Sequence, residues 1–154
     1  MKKALRSAAF GLLVAFMAVQ FIRSPRNVGL AEGPQSIVKL HQVPAGVRNI
    51  LQRACYDCHS NNTAYPWYAA VQPVGWRLNR HVTGAKAELN FSEFAAYSTK
   101  RAVRKLTNVA DEVRERHMPL KSYRWMHGEA KLTEADIALV SGWAVDFADE
   151  LESR

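Results

Sequence analysis

Cys55-Tyr56-Asp57-Cys58-His59 sets two thiols at i and i+3 and an imidazole on the next residue. That pattern is the attachment signature of c-type haem, in which the sulfurs add to the two vinyl groups and the histidine sits under the iron. The spacing has a geometric reason. On a helical turn positions 55 and 58 project to one side, matching vinyls on adjacent rings, and residue 59 can reach the iron. The same two thiols serve other chemistry elsewhere. A zinc site needs two further ligands, and the chain has neither a second Cys-x-x-Cys nor a His-x(3–5)-His. A thioredoxin-like pair belongs at a strand-to-helix junction in an α/β pattern, which is absent. A disulfide across two intervening residues closes so small a loop that it adds little stability.

An iron held by His59 has a sixth position. Met1 and Met17 lie in the N-terminal apolar run, which leaves Met118 and Met126; the other histidines are His41, His81, His117 and His127. Met118 is the first candidate, because Pro119 ends the helix before it and sets its thioether in a loop. A soft thioether favours Fe(II) and raises the potential relative to two imidazoles. His117 is its immediate rival, Met126 and His127 form a second Met-His pair in the same segment, and His81 is a further alternative. Tyr65, Trp67, Tyr68 and Trp76 suit the cover of a porphyrin face, or plain packing. Arg77 and Arg80 suit either haem propionates or solvent.

These residues need positioning by a chain of 154 residues, enough for one ordinary domain. At 48% hydrophobic and 23% charged the composition is globular. The net charge of +7 is concentrated at the start: without the four basic residues of the first 23, the balance is 17 basic against 14 acidic, or +3. A nucleic-acid surface needs a concentrated basic stripe, so no nucleic acid is expected.

Lys2, Lys3 and Arg6 precede an apolar run from Ala8 to Ile22 broken only by Gln20. This reads as an export signal. Small residues at a cleavage spacing are weak after it, so residues 1–23 are expected to remain as a single-pass signal anchor in a bacterial inner membrane. The positive N-terminus would stay inside and the domain in the periplasm; cleavage would free an exported soluble domain instead. Residues 24–42, with Pro25, Gly29, Gly33 and Pro34, read as a linker too irregular to pack. Residues 43–154 read as the haem-binding domain.

Within it, Val47, Ile50, Leu51 and Ala54 predict a helix that delivers Cys55, and Ser60 to Pro73 a packed loop. Val74 to Glu88 predicts a second helix. Ser92 as N-cap, followed by Phe94, Tyr97, Val103, Leu106, Val109, Ala110 and Val113, predicts one long helix or two short ones. The stretch from His117 to Lys131 reads as loop. Thr133, with Asp136 three residues on, caps a last helix carrying Ile137, Val140, Ala144, Phe147 and Leu151 on one face. No segment alternates with period two. The fold class is all-α, a small cytochrome-c-like domain around one covalent haem.

The run CYDCHSNNTAYPWYAAVQPVGWRLNRHVTGAKAELNFSEF, followed by MPLKSYRWMHGEAKLTEAD and a last helix containing Trp143, resembles the haem-binding-domain family of exported bacterial c-type cytochromes. The likeness spans about Pro44 to Phe147. It implies a monohaem helical domain on an N-terminal anchor, with Cys55 and Cys58 as thioether attachments, His59 as proximal ligand and Met118, in the family's Met-Pro-Leu position, as distal ligand. Lys86 departs from the pattern, which has Arg there, and Phe94 stands where Trp is expected. The expected function is electron carriage between redox partner proteins, without catalysis. The alternative is a peroxidase or a gas or redox sensor whose distal ligand is displaced by the incoming molecule.

Overall fold

The computed structural model describes the backbone of residues 1–154 and every side chain except that of Leu40. The first helix, α1 (Lys2–Val19), buries no residue, and Phe10, Leu12, Leu13 and Phe16 stand exposed on it. Among the described residues no helix is long and apolar enough to cross a membrane. The reason is visible in the sequence: Lys2, Lys3 and Arg6 fall within the helix, and its apolar run is correspondingly shortened. The end of α1 is fastened to the domain. The Gln20 amide donates to the Gln72 carbonyl at 3.2 Å and accepts from the Gln72 amide at 2.8 Å, and the Trp76 indole donates to the Ile22 carbonyl at 2.8 Å.

Residues 24–42 do not stand off as a linker; they pack. Ser36 and Ile37 are fully buried, and Ile37 opens a short helix, α2 (Ile37–Leu40), laid against a 3-10 turn at Phe91–Ala96. Asn27 is the main fastening. Its amide nitrogen Nδ2 donates to the Ser60 carbonyl at 2.8 Å and to Thr63 Oγ1 at 3.0 Å, and its Oδ1 accepts from Lys86 Nζ at 2.7 Å. Glu32 accepts from Arg48 and from Gln52, and the Arg48 guanidinium holds its carboxyl below the usual carboxylate range. The irregular composition conceals this, because each bond reaches a partner far along the chain.

After Pro44, α3 (Ala45–Ala54) buries Val47, Ile50, Leu51 and Ala54 on one face. It stops at Cys55, whose φ of −124° leaves the helical range, and a single turn, α4 (Tyr56–His59), restarts from it. The helix α5 (Val74–Glu88) has the bounds read from the sequence. Gly75 is required in its first turn, because a Cβ there would collide with the Ala69 carbonyl.

Ser92 is not an N-cap. Asn90 accepts from the Ser92 amide at 3.0 Å instead, and the next helix, α6 (Thr99–Arg114), starts only after Tyr97 and Ser98. The Ser92 hydroxyl joins distant segments, accepting from the Asn61 amide at 2.9 Å and donating to the Ala31 carbonyl. The segment after His117, expected as loop, contains the short helix α7 (Lys121–Met126). The last helix, α8 (Glu134–Glu152), carries the predicted Thr133/Asp136 capping box and buries Val140, Ala144 and Phe147.

The core lies where α6 packs along α8 and α3 crosses α8. Leu106, Ala110 and Ala144 are wholly buried there, and the two alanines leave room for the helices to approach. Phe94 is 2% exposed and stacks on Phe147, so the smaller ring found where the family pattern has Trp is a full core residue. His41 meets the edge of the same Phe147 ring at 4.6 Å. Apart from an isolated bridge between Val28 and Asn62 no extended pairing occurs among the described residues, and the fold is all-α.

Candidate functional site

Three adjoining chambers run between α4, α5, α6 and the segment after Met118. The chamber beside α6, ≈ 350 Å³, is walled by Leu89, Phe91, Val109 and Val113 together with Cys55, His59 and Met118. A central chamber of ≈ 240 Å³ shares Cys55, His59 and Met118 with it and adds Cys58, His81 and Tyr123. An outer chamber of ≈ 170 Å³ shares Cys58, His81 and Tyr123 with the central one and continues to Arg77, Met126 and His127. The walls are mainly apolar, with a few polar groups at their edges, as in a site for a flat organic cofactor.

His59 is held in one orientation. Its Nδ1 lies 3.0 Å from the Leu89 carbonyl, which can only accept, so Nδ1 carries the proton and Nε2 keeps its lone pair. Burial, above all, pushes its pKa down, and Lys105 adds to that, so the ring stays neutral and able to bind a metal. The thiols are protonated: burial pushes Cys55 up to about 12 and Cys58 up to about 11. Redox dithiols and zinc thiolates need the opposite shift. No group of three or more His, Cys, Asp or Glu is placed to hold a metal ion among the described residues.

Met118 is carried to the site by the end of α6. Arg116 takes a left-handed φ of 57°, and the Met118 amide donates back to the Glu112 carbonyl at 3.1 Å, turning the chain so that the thioether lines both chambers bounded by His59. Its rivals are placed differently. His117 is 63% exposed between Glu112 and Glu115, and none of the three chambers includes it. His127 stacks on Tyr123 at 4.1 Å and Met126 is half exposed, and both line the outer chamber alone. His81 lines the central chamber with Met118.

A model of the family described as haem-binding domain matches residues 14–146. The chain belongs to the haem-binding-domain family. No curated protein matches it, and no solved structure does. As a haem-binding domain, the molecule has in these chambers a fit for its cofactor: a mainly apolar space lined by both a neutral imidazole and a thioether. Two features here escape a reading of the sequence. Asp57, between the two cysteines, accepts from the Ala64 amide at 2.9 Å and from the Tyr123 hydroxyl at 2.7 Å, which ties α4 to α7. Burial and the Asp57 carboxylate push the Tyr123 phenol up, so it stays a donor. Lys105 is the other, a buried ammonium on the wall of the α6 chamber.

Tyr123→Phe deletes the tie and leaves half of a carboxylate unpaired. Hydrogen bonds to charged groups contribute about 1.5–3 kcal/mol, and the variant is expected to lose that order of stability in denaturant titration. An unchanged midpoint would show that the Asp57–Tyr123 contact carries nothing.

Proposed function

We propose that this haem-binding domain is a monohaem c-type cytochrome that carries single electrons between redox proteins in the periplasm, held at the inner membrane by α1. In this reading Cys55 and Cys58 form thioethers with the haem vinyls, and His59 and Met118 are the axial ligands. The observation that carries it is that a tautomer-fixed, neutral His59 and Met118 line the same two chambers, the central one with both Cys55 and Cys58. When bound, haem supplies a one-electron couple between ferric and ferrous iron. The protein's part is to fill both axial positions, exclude water through Leu89, Phe91, Val109 and Val113, and keep the site rigid, so that an electron arrives and leaves with little rearrangement. The placement of both cysteines on the central chamber with His59 supports the thioether role. The attachment by α1 is supported by its exposed apolar side chains.

The presence of His81 beside Met118 in the central chamber favours one second reading, a sensor or peroxidase in which Met118 is displaced by an incoming ligand and His81 exchanges protons with it. Three measurements on membrane-expressed holoprotein, an absorption spectrum, a denaturing gel and ligand binding, separate the readings. Carriage predicts a sharp reduced α-band, a methionine-to-ferric-iron charge-transfer band in the far red, haem that stays with the chain on a denaturing gel, and slow, weak binding of carbon monoxide and cyanide. Rapid, tight ligand binding favours the second reading. Absence of a Soret band overturns both.

A further inference from the structure

Lys105 is buried to 8% exposure in the second turn of α6, where the neighbouring Ala102 and Leu106 belong to the core. An ammonium removed from water needs partners. The partner found is meagre: Nζ lies 3.3 Å from Glu88 Oε2, and that glutamate side chain is 82% exposed. One contact to a solvated, rotatable carboxylate uses one of three ammonium donors. Lys105 also lines the chamber beside α6, next to Asn108, and among the described residues it is the only Lys or Arg on the walls of the two chambers that contain both His59 and Met118. Arg77, an alternative from the sequence, lines only the outer chamber, which includes neither His59 nor Met118, and Arg80 lines none of the three.

A haem brings two propionate carboxylates, and Leu89, Phe91, Val109 and Val113 offer them nothing. We propose that Lys105 binds one haem propionate, assisted by the Asn108 amide, and so sets which edge of the cofactor lies against α6. The inference rests on haem lying between His59 and Met118. The other titratable groups on this chamber are His59, Cys55, Glu88 and Glu112. The two glutamates sit at its outer edge, exposed enough for water to screen them from a carboxylate inside.

The test is the midpoint potential of full-length holoprotein followed against pH. An ammonium held against a carboxylate keeps it ionised, so the wild type is flat through the weakly acidic range. Lys105→Met raises the proton affinity of that propionate by about tenfold or more, and the potential then rises as pH falls through the range. Lys105→Arg restores the flat profile, and Glu88→Gln leaves it flat. A Lys105→Met profile superimposed on the wild type overturns the proposal. So does a Glu88→Gln profile that copies Lys105→Met, since Lys105 would then serve only its glutamate. If Lys105→Met does not accumulate, Lys105→Arg decides: with haem carrying labelled carboxyl carbon, the propionate stretch in infrared redox difference spectra moves when ammonium becomes guanidinium, and an unmoved band overturns the proposal. Protein with no Soret band fails the haem reading itself, which is a different result from a haem-loaded variant that behaves as wild type.

Discussion

Met118→Ala holoprotein is expected to keep its haem on a denaturing gel, lose the far-red methionine-to-iron band, and show a midpoint potential lower by ~0.1 V or more. The direction follows from ligand softness: a thioether stabilises ferrous iron, and water or an imidazole in its place does not. Because about 59 mV is tenfold for one electron, that drop is on the order of fifty-fold in the ferrous-to-ferric ratio. Carbon monoxide binding becomes fast in the same variant. The prediction is specific to Met118, because none of the three chambers includes His117, and Met126 and His127 line only the outer one. His117→Ala and Met126→Ala are therefore expected to keep the band. A Met118→Ala protein that retained the band, or a Met126→Ala protein that lost it, would refute the assignment.

The second large effect is on stability. In Cys55→Ser/Cys58→Ser the haem has no covalent hold, and haem stain is expected to vanish from the denatured chain. Haem held by His59 and Met118 alone dissociates more readily, and wherever it leaves, the apolar walls face an empty slot. At about 25 cal/mol per Å², every ~100 Å² of wall left without a packing partner forfeits about 2.5 kcal/mol, against a total stability of roughly 5–15 kcal/mol for a domain. Thermal melting should fall by several kcal/mol in that measure, with the earliest loss of amide protection in α6 around Val109 and Val113, which wall the slot as well as the core. Unchanged melting together with haem-positive gels would contradict thioether attachment.

The parts of this protein written in its sequence are those decided within a few residues. The bounds of α5, the capping box of α8 and the stripe of α6 come from hydrogen bonds and side-chain periods that repeat every turn, so composition and spacing suffice to find them. The spacing of Cys55, Cys58 and His59 is local for the same reason, and the haem-binding family was legible from it and the downstream Met-Pro. Other features depend on partners far along the chain. Residues 24–42 look like a spacer because the groups that bind Asn27 and Glu32 lie tens of residues away. Ser92 looks like a cap, but its hydroxyl serves Asn61 and Ala31.

The same division runs through the site. Four candidates for a sixth ligand stand beside Met118 in the sequence, and only the path of the chain around Arg116 decides that Met118 shares two chambers with His59, whereas His81 shares one. The tautomer of His59 is set by a carbonyl thirty residues on, at Leu89. Lys105 is not marked in the sequence, because a lysine between Arg104 and Leu106 looks like any other charge on the polar side of a helix. That it faces the cofactor chamber required the tertiary structure. Local order arises from short-range bonds that every turn repeats, whereas the placement of a ligand is the sum of many small packing contacts between segments, and no single residue type announces it.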